Sequence, residues 1–260
     1  MILLFGGTTE GRELAELLIS RGYEVKLSVA SEIGFDIGRN SIKGELSIIK
    51  GRLDKNEMAE LIKRDQVEIL IDATHPFAID VSSNIKAAAD VTGLSCLRFQ
   101  RDKIEVFEND LISKVINFEG AAKRARKTKG KVFLAIGSKH IDQFLKVMDD
   151  PRNAVVRVLP DDKSLKRCFE AGVLEKNVIQ ARGPFSKDEN IETLKRFRPS
   201  LIVTKNSGKA GGTKEKIEAA CELGIPVVLI EPPKSSQYVF TTYGSLLKRV
   251  EEGSKLVIGG

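Results

Sequence analysis

The segment after the first apolar run of the chain has the composition of an anion-binding turn. The run is Ile2–Phe5, and the residues that follow it are Gly6, Gly7, Thr8, Thr9, Glu10 and Gly11. Glycine permits a tight turn and a close approach of the backbone to a ligand, and a helix N-terminus attracts phosphate. The dinucleotide-binding pattern is G-x-G-x-x-G, in which Thr8 replaces the middle glycine here. We therefore predict that these six residues bind the pyrophosphate of a nicotinamide nucleotide, with a plain tight turn as the alternative.

The residues about 20 positions beyond these glycines bear on the choice between NAD and NADP. An acidic residue there binds the ribose hydroxyls of NAD, whereas a nearby arginine accommodates the 2′-phosphate of NADP. Glu32 favours NAD, while Ser28 and Ser31 with the nearby Arg39 leave room for the phosphate. We favour NADP(H), keep NAD(H) open, and include Ser31 among the cofactor-binding residues.

A second polar segment follows the apolar residues Ile69–Ile71. It contains Asp72, Ala73, Thr74, His75, Pro76 and Phe77. Ligands of open α/β sheets bind beyond the carboxyl ends of the strands, so this segment is expected to face the cofactor. His75 is the candidate proton donor, with bound water as an equal alternative. A lone histidine after a strand is more often a hydrogen-bonded structural residue.

Three loops in the second half of the chain combine glycine with cationic and hydroxyl side chains. They contain Ser138, then Arg182, Gly183 and Pro184, and finally Lys205, Asn206, Ser207, Gly211 and Gly212. Glycines and hydrogen-bond donors ahead of a helix are typical of an anion-binding cradle, and a flexible surface loop is the alternative. A P-loop is excluded because Thr213 and Lys214 follow Gly212 in the wrong order.

Strand-like and helix-like segments alternate along the chain, which predicts parallel sheets flanked by helices. Five strands are predicted in the first half, at Ile2–Phe5, Glu24–Val29, Leu46–Lys50, Ile69–Asp72 and Ser95–Phe99. Five more are predicted at Val132–Ile136, Ala154–Val158, Val178–Ala181, Leu201–Thr204 and Val227–Ile230. The polar segment Gln100–Asn117 between them is predicted to be a linker. We therefore predict an α/β fold with two Rossmann-like domains, residues 1–99 and 100–260, and a cleft between them.

Composition narrows the possible partners. The net charge is +6 and the isoelectric point about 9.1, but like charges form no block and basic residues do not alternate with aromatic ones, which argues against nucleic acid. No apolar run approaches the roughly 20 residues of a membrane span, so we expect a cytoplasmic protein without a membrane partner. Three cysteines and two histidines are scattered, so neither a disulfide framework nor a metal site is predicted.

Several motifs together resemble the precorrin-6A reductase family of cobalamin (vitamin B12) biosynthesis. They are GGTTEGRELA, DATHPFA, IGS, ARGPFS with EN soon after it, and VTKNSG followed by GGT, EK, AA and LGIPVV. These motifs occur in the family's order and span nearly the whole chain. Residues 234–260 carry little of the resemblance.

The resemblance implies an NAD(P)H-dependent oxidoreductase that reduces one double bond of precorrin-6A, or of its cobalt form, to give precorrin-6B or its cobalt form. The cofactor would lie on residues 1–99, with Asp72, Ala73 and Thr74 at its nicotinamide end, and the tetrapyrrole would lie in the cleft. The substrate-binding residues would be Pro76, Phe77, Arg101, Ser138, Arg182, Gly183, Pro184, Lys205, Asn206, Ser207, Gly211 and Gly212. Basic side chains, which also include Arg98, Lys139 and Lys209, would pair with the carboxylates of the ring.

Two other interpretations stay open at this point. A different Rossmann-type reductase would often carry a Tyr-x-x-x-Lys pair, and none of Tyr23, Tyr238 and Tyr243 is followed four residues later by lysine. A non-enzymatic NAD(P) sensor would bind the cofactor without oxidising it and would not need the second set of loops. The sequence leaves open the oligomeric state and whether the substrate contains cobalt.

Overall fold

The chain folds into two compact units, each built on one sheet. The computed structural model describes residues 1–42, 44, 46–101, 104–106, 108–208, 211–233 and 238–258. The first unit comprises Met1–Asp102 and Lys234–Gly260, and the second comprises Lys103–Pro233. Each sheet has six strands, and every pair of neighbouring strands is parallel. The predicted fold class is confirmed.

The first sheet has the strand order β3-β2-β1-β4-β5-β12, in which the strands are numbered along the whole chain. Its strands are β1 (Ile2–Phe5), β2 (Val25–Val29), β3 (Ser47–Lys50), β4 (Ile69–Asp72), β5 (Cys96–Phe99) and β12 (Val239–Phe240). The helices of this unit are α1 (Thr9–Ile19), α2 (Glu32–Ser41), α3 (Lys55–Arg64), α4 (Ile79–Thr92) and α10 (Tyr243–Ile258). The order is that of a doubly wound dinucleotide-binding sheet.

The second sheet has the order β9-β8-β7-β10-β11-β6. Its strands are β6 (Ile112–Val115), β7 (Val132–Ala135), β8 (Ala154–Val158), β9 (Val178–Gln180), β10 (Leu201–Lys205) and β11 (Val227–Ile230). Its helices are α5 (Phe118–Arg126), α6 (Ile141–Leu145), α7 (Asp162–Glu170), α8 (Lys187–Phe197) and α9 (Thr213–Glu222). The strands from β9 to β11 repeat the order of β3-β2-β1-β4-β5 in the first sheet. The sixth strand differs, because β6 comes before the other strands of its sheet in the chain, whereas β12 comes after those of the first sheet.

The central strands form because their sequences are almost continuously apolar. All four residues of β1 and all five of β8 are buried, which is the pattern of a parallel strand covered by helices on both faces. Helix α1 contributes Leu14, Ala15 and Leu18, at helical spacing, to the core on one face of the first sheet. The strands are thereby held in a fixed register, and the loops at their ends are positioned with them.

The C-terminal segment belongs to the first unit, which corrects the predicted division at residues 99 and 100. Val239 and Phe240 pair with Arg98 and Phe99 at the edge of the first sheet. Helix α10 buries Leu246, Leu247 and Val250 in the same core cluster as Leu4 and Leu14. The amphipathic pattern of α10 predicts the helix but carries no information about which of two similar sheets it covers.

Two further segments differ from the predictions. Residues 112–115 form strand β6 inside the predicted linker, because their backbone pairs with β11 even though the flanking residues are polar. Helix α2 was not predicted, since Gly34, Gly38 and Asn40 disfavour helix. Ser31 caps this helix, and a side chain at Gly38 would lie 3.3 Å from Ile48 Cδ1, so the glycine permits close packing on the sheet.

The helices in the described ranges are all too short or too polar to cross a membrane.

Candidate functional site

The first unit has a topological switch point between β1 and β4. From β1 the chain proceeds to β2 and β3 on one side, and from β4 it proceeds to β5 on the other. The segment Gly6–Gly11 leaves β1 at this point, where the Gly6 N–H donates to the Ser28 carbonyl at 3.1 Å and the Ala73 N–H to the Phe5 carbonyl at 2.8 Å. Crevices at such points are where open α/β sheets bind ligands. The sequence-predicted cofactor loop therefore lies at the expected position.

The three glycines of this loop differ in their surroundings. A Cβ atom at Gly6 would lie 3.2 Å from the Ala73 carbonyl oxygen, and one at Gly11 would lie 3.0 Å from the Gly6 backbone. These two glycines therefore allow the turn and the helix to pack closely. A Cβ at Gly7 would meet nothing within 4 Å. Gly7 thus marks the open side of the loop, where a ligand has room to approach the backbone.

Thr8 and Arg12 complete the turn. The Thr8 hydroxyl accepts from the Gly11 N–H at 3.1 Å, which caps helix α1, and lies 3.4 Å from the Ala73 carbonyl oxygen. The Arg12 guanidinium donates to the Gly7 carbonyl at 3.1 Å and to the Thr9 hydroxyl at 3.2 Å. Glu10 lies in the first helical turn, where a carboxylate complements the helix dipole. The sequence analysis missed Arg12, which brings a positive charge to the open side of the turn.

Asp72 and Arg98 form a buried ion pair beside this loop. Arg98 Nη1 lies 2.5 Å from Asp72 Oδ1 and 3.1 Å from the Thr74 hydroxyl. Asp72 Oδ1 also accepts from the Thr74 N–H at 3.0 Å and from its hydroxyl at 2.7 Å. Asp72 and Arg98 are 2% and 5% exposed. The carboxylate, predicted as a cofactor ligand, is therefore engaged in holding the segment after β4 in place.

His75 and the residues after it form a tight turn ahead of α4. His75 Nδ1 accepts from the Phe77 N–H at 3.2 Å, and the two rings lie 5.8 Å apart. Phe77 is only 9% exposed, whereas Pro76 and His75 are half-buried. With Nδ1 accepting, a neutral imidazole carries its proton on Nε2.

Two more predicted residues of the first unit bond to groups of the protein itself. Arg101, predicted to bind substrate, pairs with Glu13, donates to the Tyr243 hydroxyl at 2.6 Å and lies 4.8 Å from the Tyr243 ring. Ser31 caps α2 by accepting from the Gly34 N–H at 3.1 Å. The neighbouring Glu32 forms an ion pair with Lys50 at 2.6 Å, at the end of β3. The charge of Glu32, the carboxylate that favoured NAD, is therefore partly neutralised by Lys50.

The second unit contains a cavity of about 230 Å³ at the carboxyl ends of its central strands. It lies where β7 and β10 are neighbours, the switch point of the second sheet. The predicted residues that line it are Gly183, Pro184, Lys205, Ser207, Gly211 and Gly212. The structure therefore brings together residues from all three loops that the sequence singled out, since Gly137, next to Ser138, also lines the cavity.

The glycines in this cavity wall have specific roles. A Cβ at Gly211 would lie 2.3 Å from Ser207 Cβ, so no side chain fits there without a shift. Gly212 has a positive φ of 62° and stands at the N-cap of α9 without a side-chain cap. The helix therefore begins at the cavity, and its first backbone N–H groups have no partner within the helix.

Among the described residues three cationic side chains line the cavity, and two of them, Arg157 and Lys216, were not predicted from the sequence. Burial lowers the pKa of the Lys205 ammonium to about 8, with Lys139 acting in the same direction. Burial also lowers the pKa of Lys216 to about 7, reinforced by Arg157 and Lys205. The pKa of the Arg157 guanidinium falls to about 10 because of burial. All three shifts show that positive charge in this cavity is poorly solvated.

Other predicted substrate residues do not line the cavity. The Ser138 hydroxyl lies 3.1 Å from the Ser164 hydroxyl, and Arg182 is exposed. Asn206 is 1% exposed and donates to the Ile104 carbonyl at 3.0 Å and to Glu231 at 3.2 Å, so its contacts hold the end of β10. Lys209 lies outside the described residues. Arg157 had one signal in the sequence, since it is a charged residue within the otherwise apolar strand AVVRV.

Comparison with known proteins gives consistent matches over nearly the whole chain. The family model described as precorrin-6x reductase CbiJ/CobK matches residues 1–251. The cobalt-precorrin-6A reductase of Priestia megaterium is 34% identical over 256 residues, which cover 97% of this chain and 96% of that protein. That of Methanothermobacter thermautotrophicus is 33% identical over 256 residues, which cover 96% and 83%. These matches confirm the resemblance seen in the sequence motifs.

A solved structure agrees with the fold. The structure of CobK precorrin-6A reductase is 27% identical to this chain, with a TM-score of 0.78 over 97% of this chain and 96% of that one.

The buried ion pair yields a prediction about stability. Replacing Asp72 by Ala leaves Arg98 buried without its counter-charge, which is expected to lower the free energy of unfolding by about 3–5 kcal/mol. The double variant D72A/R98M removes both charges and should recover much of that loss. Urea unfolding of the wild type, D72A, R98M and D72A/R98M gives the free energies of a double-mutant cycle. Additive effects of the two substitutions would contradict the structural role assigned to the pair.

Proposed function

Because the chain belongs to the precorrin-6x reductase family, we propose that it reduces one double bond of the precorrin-6A macrocycle, or of its cobalt form, with a nicotinamide nucleotide as hydride donor. The product would be precorrin-6B or its cobalt form. The observation that supports the nicotinamide nucleotide is the glycine turn at the switch point of the first sheet. It combines an open backbone at Gly7 with the N-terminus of α1.

The residues of this turn fit a pyrophosphate. The first N–H groups of α1 lack partners within the helix, and the helix dipole adds positive potential there. Arg12 brings a formal charge to the same loop through its contacts with Gly7 and Thr9. The hydride is supplied by the bound nicotinamide, and the protein supplies position and electrostatics. Asp72 orients the second segment through Thr74, so its role in cofactor binding is indirect.

We propose NADPH as the preferred nucleotide. The strand-end residues of β2 are Val29 and Ala30, followed by the capping Ser31, so no carboxylate stands directly at the strand end. Lys50 ends the neighbouring strand and is about half exposed at its side chain. A 2′-phosphate at this edge would receive charge-assisted hydrogen bonds from the ammonium.

The second unit would bind the substrate. Its cavity presents Lys205 together with Ser207, Gly211 and Gly212 and the N-terminus of α9. Cations and helix N-termini suit the carboxylates that surround a precorrin ring. The proton that follows the hydride would come from bound water or from His75, whose Nε2 carries the proton.

Anaerobic turnover tests the proposed function directly. Precorrin-6A and its cobalt form are each incubated with NADPH and with NADH, while the nicotinamide absorbance and the corrinoid spectrum are followed together. We expect substrate-dependent oxidation, fastest with NADPH. Nucleotide binding without oxidation in every combination would contradict the reductase assignment and leave a nucleotide sensor.

The role of Gly7 predicts a selective loss of cofactor binding. Gly7→Ala adds a methyl group that meets no protein atom within 4 Å but projects to the side where the pyrophosphate would approach. We expect an increase in the Kd of NADPH of roughly tenfold or more, equal to about 1.4 kcal/mol, with an unchanged Tm. Gly244→Ala, also in open space in the first unit, is the matched control. NADPH fluorescence measures the Kd of each variant. An unchanged Kd for Gly7→Ala would place the nucleotide elsewhere.

The choice of nucleotide predicts opposite effects at Glu32 and Lys50. Lys50→Met removes the charge near the 2′-phosphate and should lower kcat/KM for NADPH by about tenfold, while leaving NADH nearly unchanged. Glu32→Gln should raise the preference for NADPH, because it frees Lys50. Lys63→Met, at an exposed position on α3, controls for loss of surface charge. Equal effects of Lys50→Met on both nucleotides would contradict this placement.

A further inference from the structure

Arg157 is a buried cation without a full set of partners. It is 8% exposed, in the middle of an otherwise apolar strand. Its Nη2 donates to the neutral Asn190 Oδ1 at 3.0 Å, whereas Nη1 is buried and has no hydrogen-bond partner within the described residues. The rings of Phe185 and Phe133 lie 4.0 and 5.3 Å from the guanidinium carbon. These aromatic contacts fix the guanidinium but do not neutralise it.

The described charged side chains that line the cavity are all positive, whereas Glu189, which attracts Arg157 electrostatically, does not line it. Lys205 and Lys216 line the same cavity, and none of its described lining residues is acidic. Lys216 donates to the Gly211 carbonyl at 2.9 Å. Buried charges are normally paired, because an uncompensated ion in a poorly solvated site is costly. In the first unit the buried Arg98 has Asp72 at 2.5 Å, whereas Arg157 forms no ion pair within the described residues.

The size of the cavity limits what it can hold. Its volume of about 230 Å³ is below the roughly 300–1,000 Å³ typical of pockets that enclose a whole drug-sized ligand. A tetrapyrrole macrocycle would therefore not fit inside. A short acidic arm attached to such a ring would fit, and its oxygens would take the place of the missing counter-charge.

We propose that one carboxylate side chain of the substrate enters this cavity and pairs with Arg157, Lys205 and Lys216. This inference rests on the proposed function for the identity of the substrate. The three cations anchor one edge of the macrocycle, and no bond is made or broken there. Arg157 and Lys216 are thus binding residues rather than catalytic ones.

Carboxylate binding in this cavity is coupled to proton uptake by its lysines. In the free protein, the pKa of Lys216 is about 7 and that of Lys205 about 8. Arg157 and Lys205 lower the pKa of Lys216 while Glu215 raises it, and Lys139 lowers that of Lys205. A bound carboxylate favours the charged ammonium and raises both pKa values. Binding at pH 8 therefore takes up protons, and affinity falls as the pH rises above about 7, where Lys216 of the free protein begins to lose its charge.

Lys216→Met, with Lys214→Met on the exposed face of the same helix as its matched control, tests the proposal. Removing a desolvated charge is compatible with folding, so the variant is expected to keep its Tm or to gain a few degrees near pH 7. We expect Lys216→Met to raise the KM for the macrocycle at least tenfold at pH 7, with the KM for NADPH unchanged and kcat within about threefold. Lys214→Met should match the wild type in all three constants.

Calorimetry without cofactor provides a second readout that does not depend on turnover. Glutarate and inorganic phosphate are titrated separately into the wild type and both variants at pH 8, in two buffers of different ionisation enthalpy. We expect glutarate binding with proton uptake in the wild type and in Lys214→Met, and weaker binding with a smaller uptake in Lys216→Met, where Lys205 remains as the group that gains a proton.

The outcomes separate this inference from the proposed function. Normal turnover with an unchanged substrate KM in Lys216→Met overturns the carboxylate site and leaves the reductase assignment standing. Tighter binding of phosphate than of glutarate, with competition by NADPH, also overturns it, since the site would then hold a nucleotide phosphate. Lys216-dependent glutarate binding without any turnover supports the carboxylate site and contradicts the reductase assignment.

Discussion

The geometry of a parallel sheet is the constraint on which both candidate sites depend. The carboxyl ends of all its strands lie at the same edge, and in a doubly wound sheet the order of the strands reverses once, which leaves a crevice between two neighbouring strands. In the first unit this crevice lies between β1 and β4, and in the second between β7 and β10. The glycine turn and the cation-lined cavity occupy these two places. The glycine turn is one local segment of the chain, whereas the cavity draws its lining from several separate segments.

The two units differ in whether a buried arginine has a carboxylate partner. Near the first crevice, Arg98 is matched by Asp72, and Thr74 satisfies the same carboxylate oxygen, so the charge is balanced within the protein. Near the second, Arg157 meets a neutral amide and two aromatic rings. A balanced pair holds a loop in one position. A cavity whose described charged lining residues are all positive is complementary to an anionic ligand. This charge imbalance distinguishes the candidate binding site from the structural pair of Asp72 and Arg98.

Particular residues show how far the sequence could be interpreted. The glycines at 6, 7 and 11 predicted the first crevice, because their types and spacing are local properties. Asp72 was predicted as a cofactor ligand, since the sequence does not show that Arg98, 26 positions later, takes up its carboxylate. Arg157 and Lys216 were missed because each looks ordinary by itself, and only the placement of β8 and β10 on the two sides of β7, with α9 following β10, brings them to the same cavity as Lys205. Helix α2 was missed because its two glycines lower helix propensity, which capping and close packing override.

The sequence by itself determined the α/β class, the alternation of strands and helices, the position of the glycine turns and the family resemblance. Each of these depends on hydrophobic periodicity or on residues within a few positions of one another. The tertiary structure decided which sheet receives β12 and α10, which side chains neutralise one another, and which cations share a cavity. These properties depend on strand order, which pairs segments that are distant in sequence, such as Ile2 with Ile69 and Arg98 with Val239.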